Sequence, residues 1–228
     1  MSEISSFSDL ALCPVLQTTL KTLGYKKPTP IQAKAIPLVL QGEDLLAEAQ
    51  TGTGKTASFA LPIIEMLSKT PPAPEYRHVR ALVLAPTREL AIQVGDSTLE
   101  YGRDLGMRVM SIYGGVRVDN QIRKLKRGAD ILVATPGRLL DLIQQKVIGL
   151  AHLEFLVLDE ADRMLDLGFI EPIKQIMAYA AEPRQTLLFS ATADESIEVL
   201  ADFYLNNPKK VKVNPRNSTA SQIKQFAY

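Results

Sequence analysis

The sequence contains no tryptophan, a single cysteine and two histidines, and each shortage excludes something. With Cys13 alone no internal disulfide can form, so the fold is not the cross-linked kind on which small secreted domains depend. Cys13 sits among apolar residues and reads as a small filler, not a reactive thiol. His78 and His152 each stand without a second ligand or nucleophile nearby in the sequence, which gives them structural roles. No apolar run approaches the ~20 residues that span a bilayer. The start, Met1-Ser2-Glu3-Ile4, lacks the basic and apolar regions of a signal peptide. A cytoplasmic protein with no membrane partner is expected. Excess charge is missing too: 26 Lys and Arg against 25 Asp and Glu leave a formal net charge of +1. Any phosphate-binding surface must therefore be local. Neither an internal repeat nor a low-complexity segment is visible.

What is present is a chain of 228 residues, 46% hydrophobic, long enough to bury a large core. Apolar periodicity predicts a helix over 7–23, ended by Gly24, and a second helix over about 31–40. Beyond residue 70, strands at 79–85, 107–113, 130–134, 153–158, 185–189 and 210–213 alternate with helices near 87–103, 117–126, 137–145, 169–180 and 194–204. Continuous apolar strands such as Phe155-Leu156-Val157-Leu158 imply burial on both faces. The fold class that follows is α/β, a mostly parallel sheet with helices on both faces, whose ligands gather at the carboxyl ends of the strands.

One stretch organises the rest: Ala49-Gln50-Thr51-Gly52-Thr53-Gly54-Lys55-Thr56, placed between the apolar run Asp44-Leu45-Leu46-Ala47 and a helical run over 57–67. A glycine-rich turn there can aim successive N–H groups at a phosphate, with Lys55 adding charge and Thr56 a hydroxyl for Mg²⁺. The helix that follows would turn its positive dipole end to the same phosphates. Ala49 breaks the pattern G-x-x-x-x-G-K-[ST] at its first position, so a chance Gly-Lys-Thr loop stands as the alternative. Farther on, Asp159-Glu160 closes an apolar strand. Two carboxylates at a strand end suit a metal ion and an attacking water, the alternative being that Asp159 merely caps a helix beginning near Glu160. Tyr25-Lys26-Lys27-Pro28-Thr29-Pro30-Ile31-Gln32 is an extended turn that by itself favours a structural role. Even so, the Gln32 amide can pair with a nucleobase edge and Tyr25 offers a stacking face. The run Arg123-Lys124-Leu125-Lys126-Arg127 reads first as a solvated helix face, with peripheral contact to a nucleic-acid backbone as the alternative.

Asp159-Glu160-Ala161-Asp162 spells the motif that names the DEAD-box RNA helicases, and the chain resembles that family at six further places, in order, over about residues 7–213. Gly24 to Gln32, with Phe7 upstream, is similar to its adenine-reading Q motif, and Ala49 to Thr56 to its motif I, where alanine at the first position is usual. Pro86-Thr87-Arg88-Glu89-Leu90-Ala91, Gly114-Gly115 and Thr135-Pro136-Gly137-Arg138 are similar to its RNA-contacting motifs, and Ser190-Ala191-Thr192 to motif III. Arg163 to Phe169 and the Arg216-Asn217-Ser218 tail look most like a bacterial RhlE-type branch.

The resemblance implies a RecA-like P-loop domain over 41–214, a Q-motif region over 1–40 packed on it, and over 215–228 the start of a linker to a second RecA-like domain. It implies ATP and Mg²⁺. Tyr25, Lys27, Gln32, Gln50, Thr51, Gly52, Thr53, Gly54, Lys55 and Thr56 would bind the nucleotide, and Thr56 and Asp159 the metal. Glu160, Lys55 and Asp159 would carry catalysis, with Glu160 activating the water. Asp162, Ser190 and Thr192 would couple the nucleotide site to RNA-dependent closure through mutual hydrogen bonds. RNA would lie, by its sugar-phosphate backbone, on Pro86, Thr87, Arg88, Gly114, Gly115, Thr135, Pro136 and Arg138. An internal ion pair to Glu89 or Asp141 is the competing role for Arg88 and Arg138. No second set of strands and no arginine-finger motif follow, so the chain is expected to be a monomeric half-site, nearly inactive alone. A P-loop ATPase of another class and a non-catalytic binding module remain as rivals.

Overall fold

The computed structural model describes residues 4–70 and 78–213. Among them are strands β1 (Leu45–Glu48), β2 (Ala81–Leu84), β3 (Val109–Ile112), β4 (Ile131–Ala134), β5 (Phe155–Leu158), β6 (Gln185–Ser190) and β7 (Lys209–Lys212). They form one sheet in the order β3-β4-β2-β5-β6-β1-β7, and every pairing is parallel. The helices are α1 (Pro14–Thr22), α2 (Pro30–Leu40), α3 (Lys55–Lys69), α4 (Arg88–Gly102), α5 (Val118–Leu125), α6 (Pro136–Gln144), α7 (Ala161–Asp166), α8 (Ile170–Met177) and α9 (Glu195–Tyr204).

Strand side chains alternate between two apolar layers. Ala81, Val83, Phe155, Val157, Leu187 and Phe189 join the layer under α1–α4. Leu82, Leu84, Leu156, Leu158 and Leu188 join the layer that α6–α9 cover, with Val118, Ile122 and Leu125 of α5 at its margin. That two-sided burial is why the strands are apolar without alternation. Because all strands run one way, the segments after β1 to β6 emerge along one edge of the sheet, where the sequence places its polar motifs.

Buried polar groups hold the opposite edge. The Asp44 carboxylate accepts from the backbone N–H of Thr186 at 2.8 Å and of Asn206 at 2.7 Å, fixing the start of β1 against its neighbours. Arg80, at the foot of β2, donates to the Leu67 carbonyl at 3.2 Å and to Thr70 Oγ1 at 2.7 Å, and pairs with Glu154. It thereby ties the end of α3 to the strand starts.

Three expectations need correction. The helix over 7–23 is instead a 3-10 turn at Phe7–Asp9, an extended stretch, and then α1. Pro14 occupies the first helical position, and a proline pushes the residue before it out of the helical region, so the two pieces cannot join. The helix over 169–180 is shorter, α8, and a separate α7 precedes it. Finally, His78 and His152 do not stand apart: their rings stack with centroids 4.0 Å from each other. The Arg216-Asn217-Ser218 tail and the segment 215–228 lie outside the described residues.

Candidate active site

The loop between β1 and α3 is built as a cradle. Gly52 and Gly54 have φ of +81° and +90°, the left-handed region that side-chain-bearing residues rarely adopt. At Gly54 a second constraint applies, since an added Cβ would lie 2.5 Å from Gln32 Nε2. Ala49 N–H donates to the Ser190 carbonyl at 2.9 Å, so the loop is anchored to β6 before it turns. Thr53 Oγ1 donates to the Gln50 carbonyl at 2.7 Å, bracing the turn from within. Lys55 opens α3 and is buried, yet its ammonium nitrogen has no hydrogen-bond partner among the described residues. Thr56 follows, half-buried, on the same helical turn.

Asp159 and Glu160 leave β5 beside this cradle. Asp159 is 2% exposed, and its Oδ1 likewise lacks a partner among the described residues. Burial pushes its carboxyl up to about 6, against the pull of Lys55 and with a further push from Glu160. Glu160 takes a left-handed conformation, φ +50° and ψ +54°, at the N-cap of α7, which has no side-chain capping bond. Asp159 is therefore not the helix cap of the alternative reading. A non-glycine residue held at positive φ is a strained arrangement that aims its carboxylate, here back across the loop. Glu160 Oε1 accepts from Thr51 Oγ1 at 3.1 Å, and Oε2 lies 3.4 Å from the Arg163 guanidinium. A buried, unpaired cation faces a buried carboxylate with an unpaired oxygen, next to backbone able to receive a polyphosphate. That donor set suits a nucleotide with a divalent ion. Such a cation commonly takes only one or two protein ligands and completes its shell from phosphates and water.

Gln32 is buried, 2% exposed, and does more inside the protein than the sequence implies. Its Oε1 accepts from the Thr29 N–H at 2.9 Å, and its Nε2 donates to the Gly54 carbonyl at 3.1 Å. One donor hydrogen and one lone pair remain free for a base edge. Tyr25 is held edge-to-face between Phe7 and Tyr101, at centroid distances of 5.9 and 6.0 Å, and shares a 2.6 Å hydroxyl hydrogen bond with Tyr101. Lys27 is exposed on the same turn.

Asp162, Ser190 and Thr192 do come together, but the bonds run largely through backbone. Asp162 accepts from the Ala191 N–H at 3.1 Å, and Ser190 Oγ accepts from the Thr192 N–H at 3.2 Å. The Thr192 hydroxyl turns away to Asp194 at 3.2 Å. Of the mutual hydrogen bonds the resemblance implies, the described residues show the one from the Thr192 N–H to Ser190 Oγ, with Asp162 joined through the backbone of Ala191.

Beyond β2, β3 and β4 the remaining motif residues form a row along the same sheet edge. Pro86 is buried; Thr87 caps α4, its Oγ1 accepting from the Leu90 N–H at 3.2 Å. Arg88 lies over the Tyr113 ring, 5.2 Å from its centroid, and makes no ion pair with Glu89. Gly114 and Gly115 follow Tyr113, and Thr135 and Pro136 start α6 with both side chains buried. Arg138 donates to the Val116 carbonyl at 3.3 Å and sits 3.8 Å from Asp141, so its internal ion pair is weak but present. Two neighbours of the site escaped sequence reasoning. Arg163 was legible, lying three residues after Glu160 on a helix. Tyr101, 76 residues from Tyr25, announces itself by nothing local.

A family model described as DEAD/DEAH box helicase matches residues 29–200. A DEAD-box ATP-dependent RNA helicase CshA from Bacillus licheniformis is 45% identical over 221 residues, covering 97% of this chain and 44% of that protein. ATP-dependent RNA helicase DeaD from Buchnera aphidicola is 46% identical over 222 residues, 97% of this chain and 36% of its own length. Among solved structures, a DEAD box protein from the hyperthermophile Methanococcus jannaschii superposes with a TM-score of 0.85 at 38% identity, over 92% of this chain and 56% of that one. The chain thus spans less than half the length of these curated relatives, and neither carries an RhlE name. With the sheet, the phosphate loop and the carboxylate pair all in place, the match over most of the sequence decides the matter: this chain belongs to the DEAD/DEAH box helicase family.

Proposed function

We propose that the chain is the ATP-binding half of an ATP-dependent RNA helicase, acting as a cytoplasmic protein with a second RecA-like domain of the same longer polypeptide. The observation that carries this is the pair of buried, unpartnered groups at the loop, Lys55 Nζ and Asp159 Oδ1. Burying a charged group without a partner is costly, and a site bearing two such groups is built for something that supplies their partners. A nucleotide polyphosphate answers Lys55, and Mg²⁺ answers Asp159. Bound there, the metal would offset charge developing on the phosphates.

The chain's own residues then divide the work. The loop N–H groups and Lys55 bind phosphate oxygens, and Thr56 and Asp159 hold the metal. Gln32 offers its free donor and acceptor to adenine while remaining bonded to Gly54, so base recognition and loop geometry share one side chain. Glu160 accepts the proton of the attacking water. Thr51 Oγ1 occupies one lone pair of Oε1 and leaves acceptor capacity on the carboxylate for that task. Asp162 and the backbone of Ala191 couple the carboxylate strand to the segment after β6. The row of Thr87, Arg88, Gly115, Thr135 and Arg138 takes one RNA strand by its backbone, so binding is tolerant of sequence.

Displacement of a fluorescent ADP analogue tests this reading. ATP and ADP should compete and GTP at the same concentration should not, and Lys55→Ala should abolish the signal. Equal competition by GTP would contradict adenine recognition by Gln32, and unchanged binding by Lys55→Ala would contradict the loop as the phosphate site.

A further inference from the structure

The basic run over 123–127 has no part in the site above, and the fold gives it a different setting. Strand β3 lies at the outer edge of the sheet and, among the described residues, pairs only with β4. Its Arg108 and Ile112 ends face that partner: the Arg108 carbonyl accepts from Ile131 at 3.1 Å and the Ile112 carbonyl from Thr135 at 3.1 Å. Alternation along the ladder then turns the backbone N–H and C=O of Val109 and Ser111 outward, away from β4. A groove runs beside this free edge between α4 and α5. It is made of adjoining depressions that share Lys124, and Leu99, Met107, Val109 and Met110 give its apolar floor. Arg108, Lys124 and Arg127 form its rim, all exposed, with the Arg108 guanidinium fastened to the Arg127 carbonyl. Asp96 is the one carboxylate among its described lining residues.

We propose that this edge groove docks an extended acidic peptide of a partner protein, which adds a strand beside β3 through the outward backbone groups of Val109 and Ser111. Strand addition draws affinity from main-chain hydrogen bonds and specificity from alternate side chains. Here alternate apolar side chains meet the methionine- and leucine-lined floor while acidic ones meet Arg108, Lys124 and Arg127. A second copy of the chain does not suit the groove. The opposite sheet edge, β7, presents Lys209, Lys210 and Lys212, whose partners Glu43, Glu198 and Glu48 are already engaged, so among the described residues it has no free carboxylate for the basic rim, and β3 against itself would set two basic rims together. RNA suits it less well, because the apolar lining of Leu99, Met107, Val109 and Met110 and the outward carbonyls of Val109 and Ser111 offer nothing to a phosphodiester backbone.

The test uses fluorescein-labelled octapeptides that alternate Glu with Val or Lys with Val, a uridine decamer, and amide hydrogen exchange on the chain. The Glu–Val peptide should bind at least tenfold more tightly than the Lys–Val peptide and slow exchange at Val109 and Ser111. The surface variant Lys124→Glu/Arg127→Glu should lose that binding at least tenfold while keeping wild-type melting and ADP binding. Equal binding of the two peptides would overturn the proposal, as would unaltered exchange at Val109 and Ser111. So would displacement of the peptide by the uridine decamer, which would make the groove a nucleic-acid surface.

Discussion

The side-chain amide of Gln32 donates to the backbone carbonyl of Gly54 at 3.1 Å, so the turn before α2 and the phosphate loop before α3 are one hydrogen-bonded unit. Whatever Gln32 senses is passed to the loop without an intervening element. Gln32→Ala would leave the Thr29 N–H and the Gly54 carbonyl without this partner, at a cost of about 1–3 kcal/mol. ATP affinity should fall roughly tenfold or more, toward that of GTP once the base contact is gone, as read by displacement of labelled ADP.

Gly54→Ala attacks the same contact from the other side. The left-handed backbone costs an alanine about 1–2 kcal/mol, and its Cβ would press on Gln32 Nε2, 2.5 Å away. In a Gln32→Ala background the steric part disappears. The two losses in ADP affinity should therefore be less than additive, and strict additivity would show that the contact is not made in solution.

Asp159 makes stability depend on pH in an unusual direction. Its folded-state value is raised from 3.8 to about 6, chiefly by burial, so ionisation works against folding. Its contribution is intact below about pH 4 and is lost as pH rises through 6. Asp159→Asn should be more stable than wild type by ~1–3 kcal/mol at pH 7.5, with the gap closing toward pH 4. Denaturant midpoints of both proteins across that range, without nucleotide, give the answer. Adding ADP and Mg²⁺ should favour the wild type alone.

Arg80 carries a purely structural prediction. Its removal strips partners from the Leu67 carbonyl, Thr70 and Glu154 together, although Glu154 keeps contact with water. Arg80→Ala should cost about 2–4 kcal/mol, visible as a lower melting temperature, with ADP affinity little changed below the transition.

How far the sequence reaches is clear from these same residues. The phosphate loop, Asp159-Glu160 and the strand-helix alternation were legible because each is a local pattern set by backbone geometry or burial. Pro14 was equally local, and a continuous helix over 7–23 overlooks what a proline does to the residue before it. The second bond of Gln32, the Tyr25–Tyr101 pair and the Arg80 hub were not legible. Each joins groups that only tertiary packing brings together, over 22, 76 and 74 residues. For Asp162, Ser190 and Thr192 the neighbourhood could be read but not its wiring, because backbone N–H groups leave no signature in side-chain identity.

The most direct test of the half-site account is ATP turnover by this chain, with and without single-stranded RNA, beside a Lys55→Ala variant. The account predicts bound nucleotide but negligible turnover that RNA does not raise, because transition-state charge awaits a cation worth roughly 10³–10⁵ in rate from another domain. Strong RNA-stimulated turnover, abolished by Lys55→Ala, would contradict it and show that these residues complete the site themselves.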